Sequence, residues 1–83
     1  MLREAVEHRL QILVDNKPGV LARVAIQLAG RSINIDCLAT RNVEGGTRTV
    51  ITVGFDADEY TADRLAKVIA RLIDVIEVRL LGE

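Results

Sequence analysis

Twice within one short chain, the spacing of apolar residues switches from every second position to a helical repeat and back. That alternation dictates the order in which structural elements are laid down. Over residues 8–15 the sequence HRLQILVD places Leu10, Ile12 and Val14 on one face at period two, with Leu13 on the other, which defines a strand. Asn16-Lys17-Pro18-Gly19 breaks it, because Pro18 has no ladder donor and Asn16 is a good helix N-cap residue. Val20, Leu21, Val24, Ala25, Leu28 and Ala29 then repeat as one apolar stripe of a helix. Arg23 and Gln27 lie outside the stripe, and Gly30 suits the helix end.

A second strand is expected over residues 34–41, with Ile35, Cys37 and Ala39 alternating against Asp36, Leu38 and Thr40. The Gly45-Gly46 pair signals a turn, answered by a third strand over residues 47–55 that is rich in β-branched side chains. Asp56, Asp58 and Glu59 supply turn and cap residues that complement the dipole of a second helix. In that helix Leu65, Val68, Ile69 and Leu72 fall at helical spacing. A last strand over residues 75–81 alternates Ile76, Val78 and Leu80 against Glu77 and Arg79. The order is βαββαβ, and the fold class is α+β. It predicts a ferredoxin-like arrangement, a four-stranded antiparallel sheet with two helices on one face. With 83 residues there is room for one domain, residues 1–83, whose core spans about residues 8–81.

Composition removes several functions that this architecture is able to serve. Hydrophobic residues make up 49% of the chain, yet Phe55 and Tyr60 are the only aromatics, so the core is small and aliphatic. A chain of this size gains stability by oligomerising. Eleven basic and 12 acidic residues are spread along the length, and no basic stripe or sheet aromatic pair is available for nucleic acid. Cys37 is the sole cysteine, which excludes an internal disulfide and a multi-cysteine metal site and reads as a small buried hydrophobe. His8 is the sole histidine, expected at an exposed or half-satisfied strand start, and it has no orienting partner for catalysis. Neither an enzyme nor a metal carrier is indicated. Charged residues interrupt the N-terminal stretch, and no apolar run reaches the roughly 20 residues of a membrane span. The expectation is a soluble, cytoplasmic protein with no membrane partner.

What remains is the first loop, Asn16 to Leu21. It joins a strand to a helix N-terminus, where unpaired amides attract an anion such as a carboxylate. Gly19 allows a ligand to approach the backbone, Pro18 pre-sets the turn, and Asn16 offers donors and an acceptor. On these residues alone, an ordinary helix start fits equally well.

The run LVDNKPGVLARVA resembles the loop signature of ACT domains. Together with SINIDCL, GGTRTVITV and IARLIDVIEVRLL, it is similar over about residues 8–81 to the small regulatory subunits of acetolactate (acetohydroxyacid) synthase. The resemblance implies a non-catalytic regulatory chain that binds a branched-chain amino acid, usually valine, and controls a catalytic large subunit. It implies no cofactor here; thiamine diphosphate, magnesium and FAD belong to the large subunit. It also implies a homodimer joined through the second strands into an eight-stranded sheet. Each ligand then lies between Asn16, Pro18, Gly19, Val20 and Leu21 of one copy and Asn34 and Ile35 of the other. Ser32 and Ile33 stand where the family usually has glycine and an aromatic, and Asp36-Cys37 replaces the commoner glutamate-serine. Two alternatives stay open: a stand-alone ACT sensor for another enzyme or a transcription factor, and an assembly domain that binds no ligand.

Overall fold

A computed structural model describes residues 6–31 and 33–81; Ser32, named above, lies outside them. In chain order the elements are β1 (Val6–Asp15), α1 (Val20–Ala29), β2 (Asn34–Val43), β3 (Arg48–Ala57), α2 (Glu59–Ala70) and β4 (Val75–Leu81). The sheet runs β2-β3-β1-β4, with every neighbouring pair antiparallel. This is the expected ferredoxin-like topology.

Period-two patterning on the two central strands sets the core. His8, Leu10, Ile12 and Val14 of β1 are buried, as are Ile51, Val53, Phe55 and Ala57 of β3. These residues meet as cross-strand partners, Leu10 with Val53 and Ile12 with Ile51. Val20, Val24 and Leu28 of α1 and Ala62, Leu65 and Ile69 of α2 close the same face. The opposite sheet face carries Arg9, Gln11 and Leu13 and stays partly open.

Several local expectations are corrected. β3 runs on to Ala57, so Asp56 sits in the ladder between Glu7 and Asn34 and is not a capping residue. His8 is only 7% exposed: its ring lies 5.5 Å from that of Phe55, and Nε2 donates to the Ala57 carbonyl at 3.0 Å. The pairing reaches beyond residue 8 in both strands, which carries His8 inside the sheet. Cys37 is exposed, because β2 is an edge strand and its side chain lies over Gly54 on the open face.

Two bulges also break the expected alternation. Between Ile35 and Cys37 the register shifts by one, so Ile35 pairs with Phe55 and Leu38 with Val53. Ile35, Leu38 and Thr40 therefore share the helix-side face, while Cys37 and Ala39 take the other. A second shift, opposite Leu13 and Val14, leaves Val75, and not Ile76, beside Val14. At the β2–β3 connection, Glu44, Gly45 and Gly46 all have positive φ, at 54°, 68° and 91°. Two glycines make that run of left-handed residues inexpensive.

Candidate functional site

The first loop is held from two sides. The Asn16 amide donates to the Thr47 carbonyl at 3.0 Å, and the Asn16 side chain donates through Nδ2 to the Gly46 carbonyl at 2.8 Å. Asn16 is thus tied to the β2–β3 turn and does not cap α1. The N-cap is Gly19, at φ 84° and ψ −9°, and no side chain caps the helix. From the other side comes Asp74, itself at φ 72° in the α2–β4 turn. Its carbonyl accepts from the Asp15 amide at 2.9 Å. Its carboxylate takes Arg23 Nη2 at 2.9 Å and Lys17 Nζ at 3.4 Å. Nothing in the local sequence pattern announces this lock, because it joins residues more than 50 positions apart.

The consequence is an open positive helix end. The Val20 amide reaches the Lys17 carbonyl at 3.3 Å and the Arg23 amide reaches Gly19 at 3.0 Å, whereas the Leu21 and Ala22 amides find no carbonyl in the preceding loop. The first turn of α1 also holds no acidic residue to neutralise the dipole. A carboxylate placed there meets two donors and a favourable field.

Beside this helix end lies a cavity of about 150 Å³. That is the size that holds a benzene-sized molecule in a protein interior. The loop side brings Asn16, Lys17, Val20 and Leu21 to it, and the sheet side brings Val14, Asp15, Ile51, Thr40, Asn42 and Thr49. Thr40, Asn42 and Thr49 went unnoticed in the sequence because β-strand spacing does not reveal which loop covers them. Pro18 and Gly19 shape the loop without lining the cavity. Asn34 and Ile35 sit at the other end of β2, eight residues from Asn42. That separation is roughly 25 Å along a strand, so one chain does not bring all seven expected residues together.

The β2 edge that runs past the cavity is open. Every residue of β2 except Val43 is exposed, including Ile35 and the half-exposed Leu38. The expected stripe of α1 splits in two: Val20, Val24 and Leu28 are buried, while Leu21, Ala25 and Ala29 on the flank beside it are exposed. Among the described residues, no group of three or more His, Cys, Asp or Glu side chains is placed to hold a metal ion. Also among them, no helix is long and apolar enough to cross a membrane.

A βαββαβ fold with a proline-glycine loop at the α1 N-terminus defines an ACT domain. The ACT domain of a GTP pyrophosphokinase from Chlorobium tepidum superposes with a TM-score of 0.80 at 14% identity, covering 93% of this chain and 99% of that one. The acetolactate synthase small subunit of Thermotoga maritima superposes at 0.82 with 28% identity, covering 93% of this chain and 48% of that one. The family described as the AHAS small subunit-like ACT domain matches residues 10–77, and the chain belongs to that family. In sequence it is 38% identical over 71 residues to the acetolactate synthase small subunit of Mycobacterium bovis, covering 86% of this chain and 42% of that protein. It is 39% identical over 71 residues to that of Mycobacterium leprae, with the same two shares covered. The chain thus spans less than half the length of these curated relatives.

Proposed function

We propose that this chain is the effector-binding part of an acetolactate synthase regulatory subunit. It dimerises through β2, binds a branched-chain amino acid, foremost valine, and modulates a separate catalytic subunit that carries the cofactors. The observation that carries the reading is the cavity at the uncapped N-terminus of α1, in a chain of this family whose β2 edge is open.

An unprotected edge strand is a ready template for pairing, and β2 carries no proline. Antiparallel pairing of two β2 strands about a two-fold axis near Leu38 and Ala39 sets Asn34 of one copy opposite Val43 of the other. Asn34 and Ile35 then approach the loop and cavity of the other copy, which supplies what one chain lacks. The same pairing draws together the Leu21, Ala25 and Ala29 flanks of α1 and covers Leu38. Small alanines permit close approach of the two helices.

The Leu21 and Ala22 amides receive the ligand carboxylate, and Val14, Val20, Leu21 and Ile51 meet an aliphatic side chain. Each charge-assisted hydrogen bond contributes about 1.5–3 kcal/mol. One methylene more or less in an apolar pocket changes binding by only about 1–3 kcal/mol. Valine, leucine and isoleucine are therefore separated modestly. Regulation follows because the ligand binds one arrangement of dimer and catalytic subunit better than another, with a coupling of about 1–3 kcal/mol.

The test is calorimetric titration of the purified chain with valine, leucine, isoleucine and serine, alongside its mass by sedimentation. One saturable valine site per chain on a dimer is the expected result. A folded dimer that binds none of the four, alone or with its catalytic subunit, refutes the ligand assignment and leaves an assembly role.

A further inference from the structure

We propose that the outer face of α1, centred on Ile26, docks on an acidic amphipathic helix of the catalytic partner. The proposal rests on the reading of this chain as a regulatory subunit with a separate catalytic one. Eight of the ten residues of α1, VLARVAIQLA, are apolar, and Arg23 and Gln27 are the exceptions. A helix that buries a single stripe carries polar residues elsewhere, as α2 does with Glu59, Asp63, Arg64 and Lys67. The buried stripe of α1 is Val20, Val24 and Leu28. At about 3.6 residues per turn, Ala22 and Ile26 lie nearly opposite it. Ile26 is 65% exposed, and Ile73, next to the Asp74 that holds Arg23, is 72% exposed. Pairing through β2 covers the flank of Leu21, Ala25 and Ala29, whereas Ile26 lies further round the helix and stays bare.

Charge gives the sign of the partner. Residues 16–31 carry Lys17, Arg23 and Arg31 and no acid, in a chain whose 12 acidic residues outnumber its 11 basic ones. Arg23, Gln27 and Arg31 follow at four-residue spacing and border the apolar ridge on one side. Arg31 lies back along the helix, with Nη1 donating to the Gln27 carbonyl at 3.1 Å. The acids of the helical layer do not offset these cations at the ridge. Asp58 and Glu59 stand at the start of α2, and Asp63 is paired with Lys67 at 3.0 Å. Asp74, between Lys17 and Arg23, is only 16% exposed. An apolar ridge with a basic border fits a helix that offers an apolar stripe flanked by Asp and Glu. With ten residues, α1 is roughly 15 Å long, enough for two to three turns of contact. Ile26 follows one turn after the Ala22 amide, so the helix that receives the ligand carboxylate is also the one that docks.

The test titrates the chain into the acetolactate synthase catalytic subunit of the same organism by calorimetry, with sedimentation mass and valine binding measured on each variant. Ile26→Glu should weaken the association by roughly thirtyfold or more, as loss of a central anchor requires. Its mass and its affinity for valine should match those of the wild type. Ile26→Lys, with the opposite charge at the same place, should lose less, because the partner helix is acidic. The position is exposed, and circular dichroism verifies that both variants are folded. Association of Ile26→Glu as tight as that of the wild type overturns the docking face. A variant that loses the dimer or valine together with the partner places Ile26 in those sites and overturns it as well. Equal losses from the two variants overturn the acidic assignment. If the wild type does not bind the catalytic subunit, the regulatory-subunit reading falls and takes this inference with it.

Discussion

Gly19 and Gly30 bracket α1, and replacing each with alanine should move stability in opposite directions. Gly19 has φ +84°, a left-handed conformation that costs an L-residue about 1–2 kcal/mol. A β-carbon there would lie 3.4 Å from Arg23 Nη1, the loose end of a side chain whose other nitrogen Asp74 holds at 2.9 Å. The guanidinium yields a few tenths of an ångström, so backbone strain supplies most of the loss. For a chain of this size each kcal/mol moves Tm by about 4–8 °C, so Gly19→Ala should lower Tm by about 4–16 °C. Gly30 instead has φ −78° and ψ 3°, open to any residue, and its added carbon would meet only the Ile26 carbonyl oxygen at 3.5 Å and that of Gln27 at 3.9 Å. Gly30→Ala should stabilise by about 0.4–1 kcal/mol, by restricting the unfolded chain. Thermal unfolding followed by circular dichroism measures both, without ligand and at one protein concentration, since the proposed dimer would make Tm concentration-dependent. A Gly19→Ala protein as stable as wild type, or a Gly30→Ala protein that loses more than Gly19→Ala, would refute the left-handed geometry assigned to the loop.

Phe55 is fully buried between the helices and the sheet, so Phe55→Ala should cost about 3–5 kcal/mol in urea unfolding. Asp74→Ala removes both ion pairs of the loop lock; with partners 40% and 61% exposed, the loss should be about 1 kcal/mol. That loss should shrink in 1 M NaCl, where charges are screened within about 3 Å. Leu38→Lys places a charge at the centre of the exposed β2 strand. It should abolish the dimer in sedimentation while changing monomer stability by less than about 0.5 kcal/mol.

The element order was legible because it depends on period alone: β1 and the two helices show their buried faces directly in the chain. Both bulges escaped notice because an inserted residue carries no compositional mark, and Asp36 and Ile76 look like ordinary members of alternating runs. Each shift moves the faces of its edge strand, which is why Ile35 and Leu38, not Ile35 and Cys37, share a side. The first loop was legible as a turn into a helix N-terminus from Pro18 and Gly19. Its physical roles were divided differently: Gly19 holds the N-cap position, and Asn16 anchors the loop to Gly46. The meeting of Thr40, Asn42 and Thr49 at the cavity and the Asp74 lock are long-range products of the fold, and no local pattern encodes them. The double-width apolar stripe of α1 was visible in the sequence. Its meaning emerges only once half of it is found exposed.

The account is tested most directly by adding this chain to the acetolactate synthase catalytic subunit of the same organism and measuring acetolactate formation with and without valine. The account predicts that the chain changes the rate saturably, that valine reverses the change, and that Gly19→Asp, by setting a carboxylate against that of the ligand, removes the response to valine. A rate that stays the same across a full titration of folded, dimeric chain would contradict it.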